Sequence, residues 1–442
     1  MEQNWCAAHT LQRNATPLPT PEDLPRWDVV VVGAGAAGLI AAERTASRGR
    51  RTLLLEKNRR PGIKILMSGG TRCNLTHATD ERGIVAAYGP PGRFLHSALA
   101  ALGPQDLVAL VEGEGVKTKI EETGKIFPAS NRAADILAAF TARLSRTDCE
   151  LALEEPLVEI ARTESGGFQL VTAKRTLTAD HLIITTGGQS YPGSGTTGDG
   201  YRWATALGHT LVPPRPALVP LTTSALWVQS LKGVTVPGAQ LRVLEPRASE
   251  VQTAEKPRVL DTRRGSLLFA HFGLTGPVAL DISRVVSGHP RPNTLRLEFD
   301  FLPGVKAEAL DEQLKSAAAA AGKRQVLALV PEEVPNRLAE ALLEQAGLDG
   351  QQRAAELSKT GRAALVRAIK QTSIALTGTR GFGKAEVTAG GIPLSEVDSR
   401  TMESRVVPGL FLAGEVLDLD GPIGGFNFQA AFSTGWLAGL NA

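Results

Sequence analysis

The chain has 442 residues, 43% apolar and 21% charged, a balance that excludes a disordered, collagen-like or coiled-coil protein. Forty-eight Lys and Arg face 45 Asp and Glu, leaving a net charge of +3, which is not the footprint of a polyanion-binding surface. At about 150 residues per domain, two to three domains are expected.

Cys6, Cys73 and Cys149 lie far apart with no CxxC pair. A zinc ribbon, a dithiol relay and a disulfide framework are therefore not expected, and a reducing, cytoplasmic setting is. No metal site is expected. No apolar run reaches the about 18 residues needed to span a bilayer, and the first residues lack a signal-peptide pattern. Residues 1–26 carry Pro17, Pro19, Pro21 and Pro25 and read as an irregular leader.

The β-branched run Asp28-Val29-Val30-Val31-Val32 reads as a buried parallel strand. Gly33-Ala34-Gly35-Ala36-Ala37-Gly38 follows, then helical sequence from Leu39, then a second strand, Thr52–Leu55, ending in Glu56. Strand, GxGxxG, helix, strand and acid in that order form a dinucleotide fingerprint. Gly33 permits the tight turn, Gly35 admits a pyrophosphate to the backbone, and Gly38 lets helix and strand pack closely. The free N–H groups of the helix start face the phosphates. Glu56 accepts from a ribose hydroxyl and disfavours a 2′-phosphate.

The fingerprint alone does not separate FAD from NAD, but the next segments do. Arg60 to Asn74 is a glycine-rich stretch carrying Lys64, Ser68, Arg72 and Asn74 as donors, which suits a longer ligand. Segments Pro156–Ile160 and Phe168–Val171 read as a strand pair. His181 to Gly188 reads as a buried strand ending in Thr-Gly-Gly, and Gly409 to Glu415 as another closing in Gly-acid. Glu415 is placed to hold a ribityl hydroxyl. Gly424-Gly425-Phe426-Asn427 opens a small-residue helix over 430–440, whose positive end suits the pyrimidine edge of a flavin.

Between these ends, residues 211 to about 301 show short alternating runs such as Leu241–Leu244 and Leu295–Phe299, with an exposed loop over 250–258. From about Pro303 to Lys370 the apolar spacing turns helical: Leu310 and Leu314, Leu338, Leu342 and Ala346, Leu365 and Ile369. A second GxGxxG, Gly193 to Gly198, precedes a helix over 201–207. It follows Tyr191-Pro192 rather than a strand, so it does not mark a separate nicotinamide domain.

The stretches VVVVGAGAAGLIAA (29–42), GIKILMSGGTRCNLT (62–76), TTGGQSYPGSGTTGDGYRWATALGH (185–209), PALVPL (216–221), LLFAHFGLTGP (267–277) and AGEVLDLDGPIGGFNFQAAFSTGWLAG (413–439) resemble the BaiN/RdsA-type, or YhiN-like, NAD(P)/FAD-dependent oxidoreductases. The resemblance implies an α/β fold: a glutathione-reductase-like FAD-binding Rossmann domain with an inserted β-rich domain and a small helical domain. The boundaries expected are 27–210 and 395–442 for the FAD domain, 211–302 and 371–394 for the β-rich insert, and 303–370 for the helical module. Some members are described as reductases of conjugated double bonds in steroid acids, and others carry an aminoacetone-oxidase-like label. Departures from the family pattern at Gly70-Thr71-Arg72, Ala270 and Pro422 leave FAD binding intact and weaken any transfer of substrate.

The expected cofactor contacts are Gly33, Gly35, Ala36, Ala37 and Gly38; Glu56 and Lys57; Lys64, Ser68, Gly69, Gly70, Arg72, Cys73 and Asn74; Val158; Thr186 and Gly187; and Gly414, Glu415, Gly424, Gly425 and Asn427. Arg72, Cys73 and His271 are candidates for the chemistry, each balanced by a structural reading. A flavin supplies its own electronics, so the protein need only bind, orient and tune it. The expectation is an FAD-dependent oxidoreductase of a small or medium organic substrate, with NAD(P)H as transient electron donor and no nucleic-acid partner. An O₂-using amine oxidase and a non-catalytic redox sensor remain alternatives, and a flavin-dependent tRNA-modifying enzyme is a weaker one, against which the near-neutral charge balance argues. Oligomeric state is open.

Overall fold

The computed structural model describes residues 24–246 and 257–442. Most of the expected leader, with Cys6, and most of the loop over 250–258 lie outside them. The first strand runs Arg26–Val32, so the fold begins one residue inside the expected leader. Val29, Val30 and Val31 are fully buried, as a strand covered on both sheet faces must be.

The main sheet is parallel at its centre, in the order Glu150–Ala152, Thr52–Leu55, Arg26–Val32, Thr176–Ile184. Thr176–Ile184 bridges two neighbours. Its first half pairs antiparallel with Phe168–Thr172. Its second half takes Leu410–Leu412 in parallel register, Leu410 opposite Leu182 and Leu412 opposite Ile184. Segments nearly 400 residues apart thus meet in one sheet.

Two helices lock this junction. Ala36–Ala46 follows the fingerprint, and Phe426–Asn441 ends the chain. They cross so closely that a Cβ on Gly435 would stand 2.3 Å from the Ala37 carbonyl oxygen, and one on Gly439 2.5 Å from that of Ala41. Phe432, fully buried, stacks on Phe140 of the neighbouring helix Ala133–Ser145 at 4.6 Å. Burial of such side chains stabilises the junction by about 1.5–3 kcal/mol each.

The insert is an antiparallel sheet in the order Ser373–Ala375, Arg296–Asp300, Thr235–Glu245, Arg258–Ala270, Gly273–Thr275, Leu221–Thr222, Gly378–Thr379. Helices Ala307–Ala320, Asn336–Gln345 and Lys359–Gln371 pack on it. Leu310, Leu338, Leu342, Leu365 and Ile369 share one continuous core with Phe269 and Phe299 of the sheet. The helices therefore bury their apolar faces on strands rather than on one another alone. A two-stranded neck, Val212–Ala217 against Val387–Gly391, joins the insert to the nucleotide-binding half.

One stretch, Pro90–Gly113, is apolar and long enough to cross a membrane by composition. It is divided into Pro90–Leu95, His96–Ala101 and Pro104–Gly113. Leu95, Ala98, Leu99, Leu107 and Val111 are buried in the main core.

Candidate cofactor and substrate site

A cavity of about 490 Å³ runs between the main sheet, the kinked segment after Gly62 and the neck. Gly35 and Glu415 both line it, so the two chain ends build one groove.

At one end the fingerprint turn meets Glu56. The Glu56 carboxylate accepts from the Ala34 N–H at 2.8 Å on Oε2, and from the N–H and side-chain amide of Asn58 at 2.8 Å each on Oε1. A carboxylate has about four lone-pair positions, so Oε2 keeps one for a ribose hydroxyl. Gly33 has φ +100°, and a Cβ there would crowd the Thr185 carbonyl oxygen at 2.9 Å. A Cβ on Gly35 would meet no protein atom within 4 Å; the missing side chain leaves open cavity. No side chain caps the helix that follows, leaving its N–H groups for an anion. Thr186 lines the cavity, but its hydroxyl is buried without a partner and turned toward Gly200, where a Cβ would stand 2.2 Å from it. An extended dinucleotide fits these residues.

At mid-groove, Lys64 Nζ lies 2.5 Å from Glu415 Oε2 and from Ser190 Oγ. Ser190 Oγ donates to Glu415 Oε1 at 2.5 Å, and the Thr388 N–H donates to the same oxygen at 3.0 Å. Nearer the adenine-side acid, Lys57 pairs with Asp199 at 2.6 Å. Burial raises the Asp199 pKa, but Lys57, Thr197 and Arg202 outweigh it and hold the carboxyl below the usual range.

At the far end the helix Ile63–Thr71 breaks, with Ser68 extended and Gly69 and Gly70 left-handed. Thr71 and Cys73 also have positive φ, 68° and 61°. Left-handed non-glycine residues cost about 1–3 kcal/mol each and cluster at ligand-binding turns. Arg72 bonds Glu121 at 2.6 Å and lies over the Phe127 ring at 4.1 Å, so its guanidinium is already committed to the wall. Opposite stands the uncapped, left-handed start of the terminal helix at Gly425.

Of the expected contacts, Gly33, Gly35, Ala36, Ala37, Glu56, Lys57, Lys64, Ser68, Gly69, Gly70, Arg72, Asn74, Thr186, Gly187, Gly414, Glu415, Gly424, Gly425 and Asn427 line the cavity. Gly38 sits behind it, where a Cβ would stand 1.8 Å from the Gly33 carbonyl oxygen. Val158, Cys73 and His271 are not among the lining residues. Successive strand side chains alternate, so Leu157 faces the groove while Val158 is exposed and its carbonyl accepts from the Trp203 indole at 3.2 Å. His271 is exposed at a turn of the insert, its ring edge-on to Phe272.

Cys73 is fully buried, and burial pushes its thiol up to about 12 against a smaller opposing bond from Ser68. The thiolate is the reactive form. Cys73 is therefore expected to resist iodoacetamide at mildly alkaline pH until the chain is denatured, as peptide mass mapping would report. Labelling in the native state would contradict that burial.

Sequence reasoning missed Asn58, Glu155, Tyr88, Lys125, Phe127, Leu218 and Glu386 in the lining. Asn58, two residues past Glu56, was within reach of motif reading. The others come from segments whose approach to the groove is set by tertiary packing.

The family model described as "HI0933-like protein Rossmann domain" matches residues 27–441. The ribosomal RNA dihydrouridine synthase of Escherichia coli (strain K12) is 34% identical over 416 residues, covering 93% of this chain and 97% of that one. The Haemophilus influenzae protein of the same name is 31% identical, covering 93% and 97%. The 3-dehydro-bile acid delta(4,6)-reductase of Clostridium scindens is 31% identical, covering 93% and 98%. With fingerprint, two-ended groove and full-length relatives in agreement, the chain belongs to the HI0933-like family of Rossmann-type flavoprotein oxidoreductases.

Proposed function

We propose that this protein is an FAD-dependent reductase that saturates a carbon–carbon double bond, and that its substrate is a uracil ring in RNA. The observation that carries the first part is the continuous groove from Gly35 and Glu56 to Gly425 and Asn427. FAD, when bound, supplies two-electron transfer to an electron-poor double bond. Gly33 to Ala37 and the helix start hold the pyrophosphate, Glu56 the ribose, and Glu415 the hydroxyl chain. The positive end of the terminal helix stabilises negative charge at the ring edge.

The names of the relatives support the second part: two are named for dihydrouridine in ribosomal RNA and one for a bile-acid reductase. This reading replaces the expectation of no nucleic-acid partner. A net charge of +3 describes the whole chain, and a single ring taken from RNA into the groove needs no extended basic surface there. NAD(P)H is the proposed electron donor. The Gly193–Gly198 loop contributes Ser194, Gly195 and Thr196 to this groove beside Asn58, at the Glu56 end, so it is part of the FAD site, and the donor is proposed to dock only transiently.

The test is an anaerobic half-reaction. Purified protein is expected to be yellow, to bleach with NADPH or NADH, and to regain colour with an unmodified ribosomal RNA transcript, leaving one uridine heavier by two hydrogens. Recolouring by a 4-en-3-one steroid but not by RNA would move the substrate to the steroid class. Colourless protein that FAD cannot reconstitute would overturn the reading.

A further inference from the structure

Resting on the reductase reading, we propose that Glu386 is the proton donor of the reaction, delivering its carboxyl proton to one carbon of the substrate double bond.

The cavity lining holds five acids: Glu56, Glu155, Asp199, Glu386 and Glu415. Four are committed to the protein. Glu56 and Glu415 accept on both oxygens, Glu155 pairs with Arg175, and Asp199 pairs with Lys57. Glu386 stands apart: among the described residues, none forms an ion pair or side-chain hydrogen bond with it. Its backbone is fixed, because its N–H donates to the Leu218 carbonyl at 3.1 Å, extending the neck pairing of Ala217 with Val387. The carboxyl is thus held on a rigid element and left open to the cavity.

Its surroundings suit a donor. Leu218, Leu280 and Val387 form a buried apolar cluster with Ile423 packed on it. Three charged groups face Glu386: Lys64, Lys125 and Asp281. Burial pushes the Glu386 pKa above the ordinary carboxylate value; Lys64 and Lys125 pull it back, and Asp281 adds to the rise. Lys64 is itself neutralised by Glu415 at 2.5 Å. The Glu386 side chain is accessible from the cavity, where bound FAD and substrate would displace water; a carboxyl kept protonated in that way is the arrangement general acids use near neutral pH.

The step balances. The π bond breaks and each carbon gains a hydrogen. One arrives with the electron pair from reduced FAD, which is oxidised. The other is the Glu386 proton, and the carboxylate left behind is reprotonated from solvent. Activity needs the protonated form, so it is lost as pH rises through the Glu386 pKa.

The experiment compares FAD-loaded wild type with Glu386→Gln. The probe is the unmodified ribosomal RNA transcript, with O₂ as an acceptor that requires no proton at carbon. Infrared titration without substrate supplies an independent readout. Wild type is expected to show a protonated-carboxyl band persisting above the ordinary Glu pKa of about 4.3. Glu386→Gln is expected to lack the band, to reoxidise with RNA about 10²–10⁴-fold more slowly, and to react with O₂ at the wild-type rate. Lys125→Met is expected to move the alkaline limb of the RNA profile to higher pH, and Asp281→Asn to lower pH. A wild-type RNA rate in Glu386→Gln, an equal loss toward O₂, or limbs that both variants leave in place would overturn the assignment while the reductase reading stands. If wild type itself reduces no RNA, the RNA reading fails, and the same comparison with the 4-en-3-one steroid as probe decides the assignment: a wild-type steroid rate in Glu386→Gln overturns it.

Discussion

Gly38→Ala is expected to yield colourless protein of reduced stability. A Cβ at this position would lie 1.8 Å from the Gly33 carbonyl oxygen, 2.6 Å from the Thr185 hydroxyl and 3.0 Å from the Gly33 carbonyl carbon. Two of these atoms are backbone, in a turn whose Gly33 already sits at φ +100°. The turn must open, costing about 1–3 kcal/mol as other overpacked sites do, and it is the turn that presents N–H groups to the pyrophosphate. Gly35→Ala makes the informative contrast. Its methyl would touch no protein atom within 4 Å, so the apoprotein is expected to melt at the wild-type temperature. The same methyl enters the groove, so FAD affinity is expected to fall about tenfold or more, or by at least about 1.4 kcal/mol. Thermal melting of both apoproteins with FAD titration checks the pair. Equal behaviour of the two variants would show that the glycines do not divide these roles.

Glu415→Ala is expected to cost about 2–3 kcal/mol and to release FAD. Three donors converge on this carboxylate: Lys64 Nζ, the Ser190 hydroxyl and the Thr388 N–H. They come from the kinked segment, the loop after the main sheet and the neck, so one acid ties three parts of the chain together. The Lys64 and Glu415 side chains are only 29% and 17% exposed, so water does not replace the lost acceptor well, and an unpaired buried donor is expensive. Glu415→Gln keeps an acceptor for Thr388 and is expected to lose about half as much. Denaturant unfolding with and without FAD measures both. A Glu415→Ala loss under about 0.5 kcal/mol, the range of an ordinary surface change, would remove the network from the account.

The nucleotide half was readable because its signals are local. The run Val29–Val32, the spacing of Gly33, Gly35 and Gly38, and Glu56 at a strand end all lie within 30 residues, where backbone geometry dictates residue type. The apolar spacing of Leu310, Leu338, Leu342, Leu365 and Ile369 was equally plain; what it lacked was the partner surface. Those side chains fill a core shared with Phe269 and Phe299, a choice made by packing across distant sequence. Val158 shows the limit at finest scale. The strand was foreseen, but a one-residue change of face sends Leu157 into the groove and Val158 out, because side chains alternate along a strand.

By itself, the sequence determined that this protein has a dinucleotide turn with an acid beside it, a glycine-rich segment behind it and a small-residue helix at its end. Each depends on neighbours a few residues away. Tertiary structure alone decided that Leu410–Leu412 lies beside Thr176–Ile184, that Lys64 finds Glu415 across 351 positions, and that Glu386 arrives at the groove through the neck. The reason is physical: such contacts are selected by burial and register between remote segments, and no local periodicity encodes the distance they close.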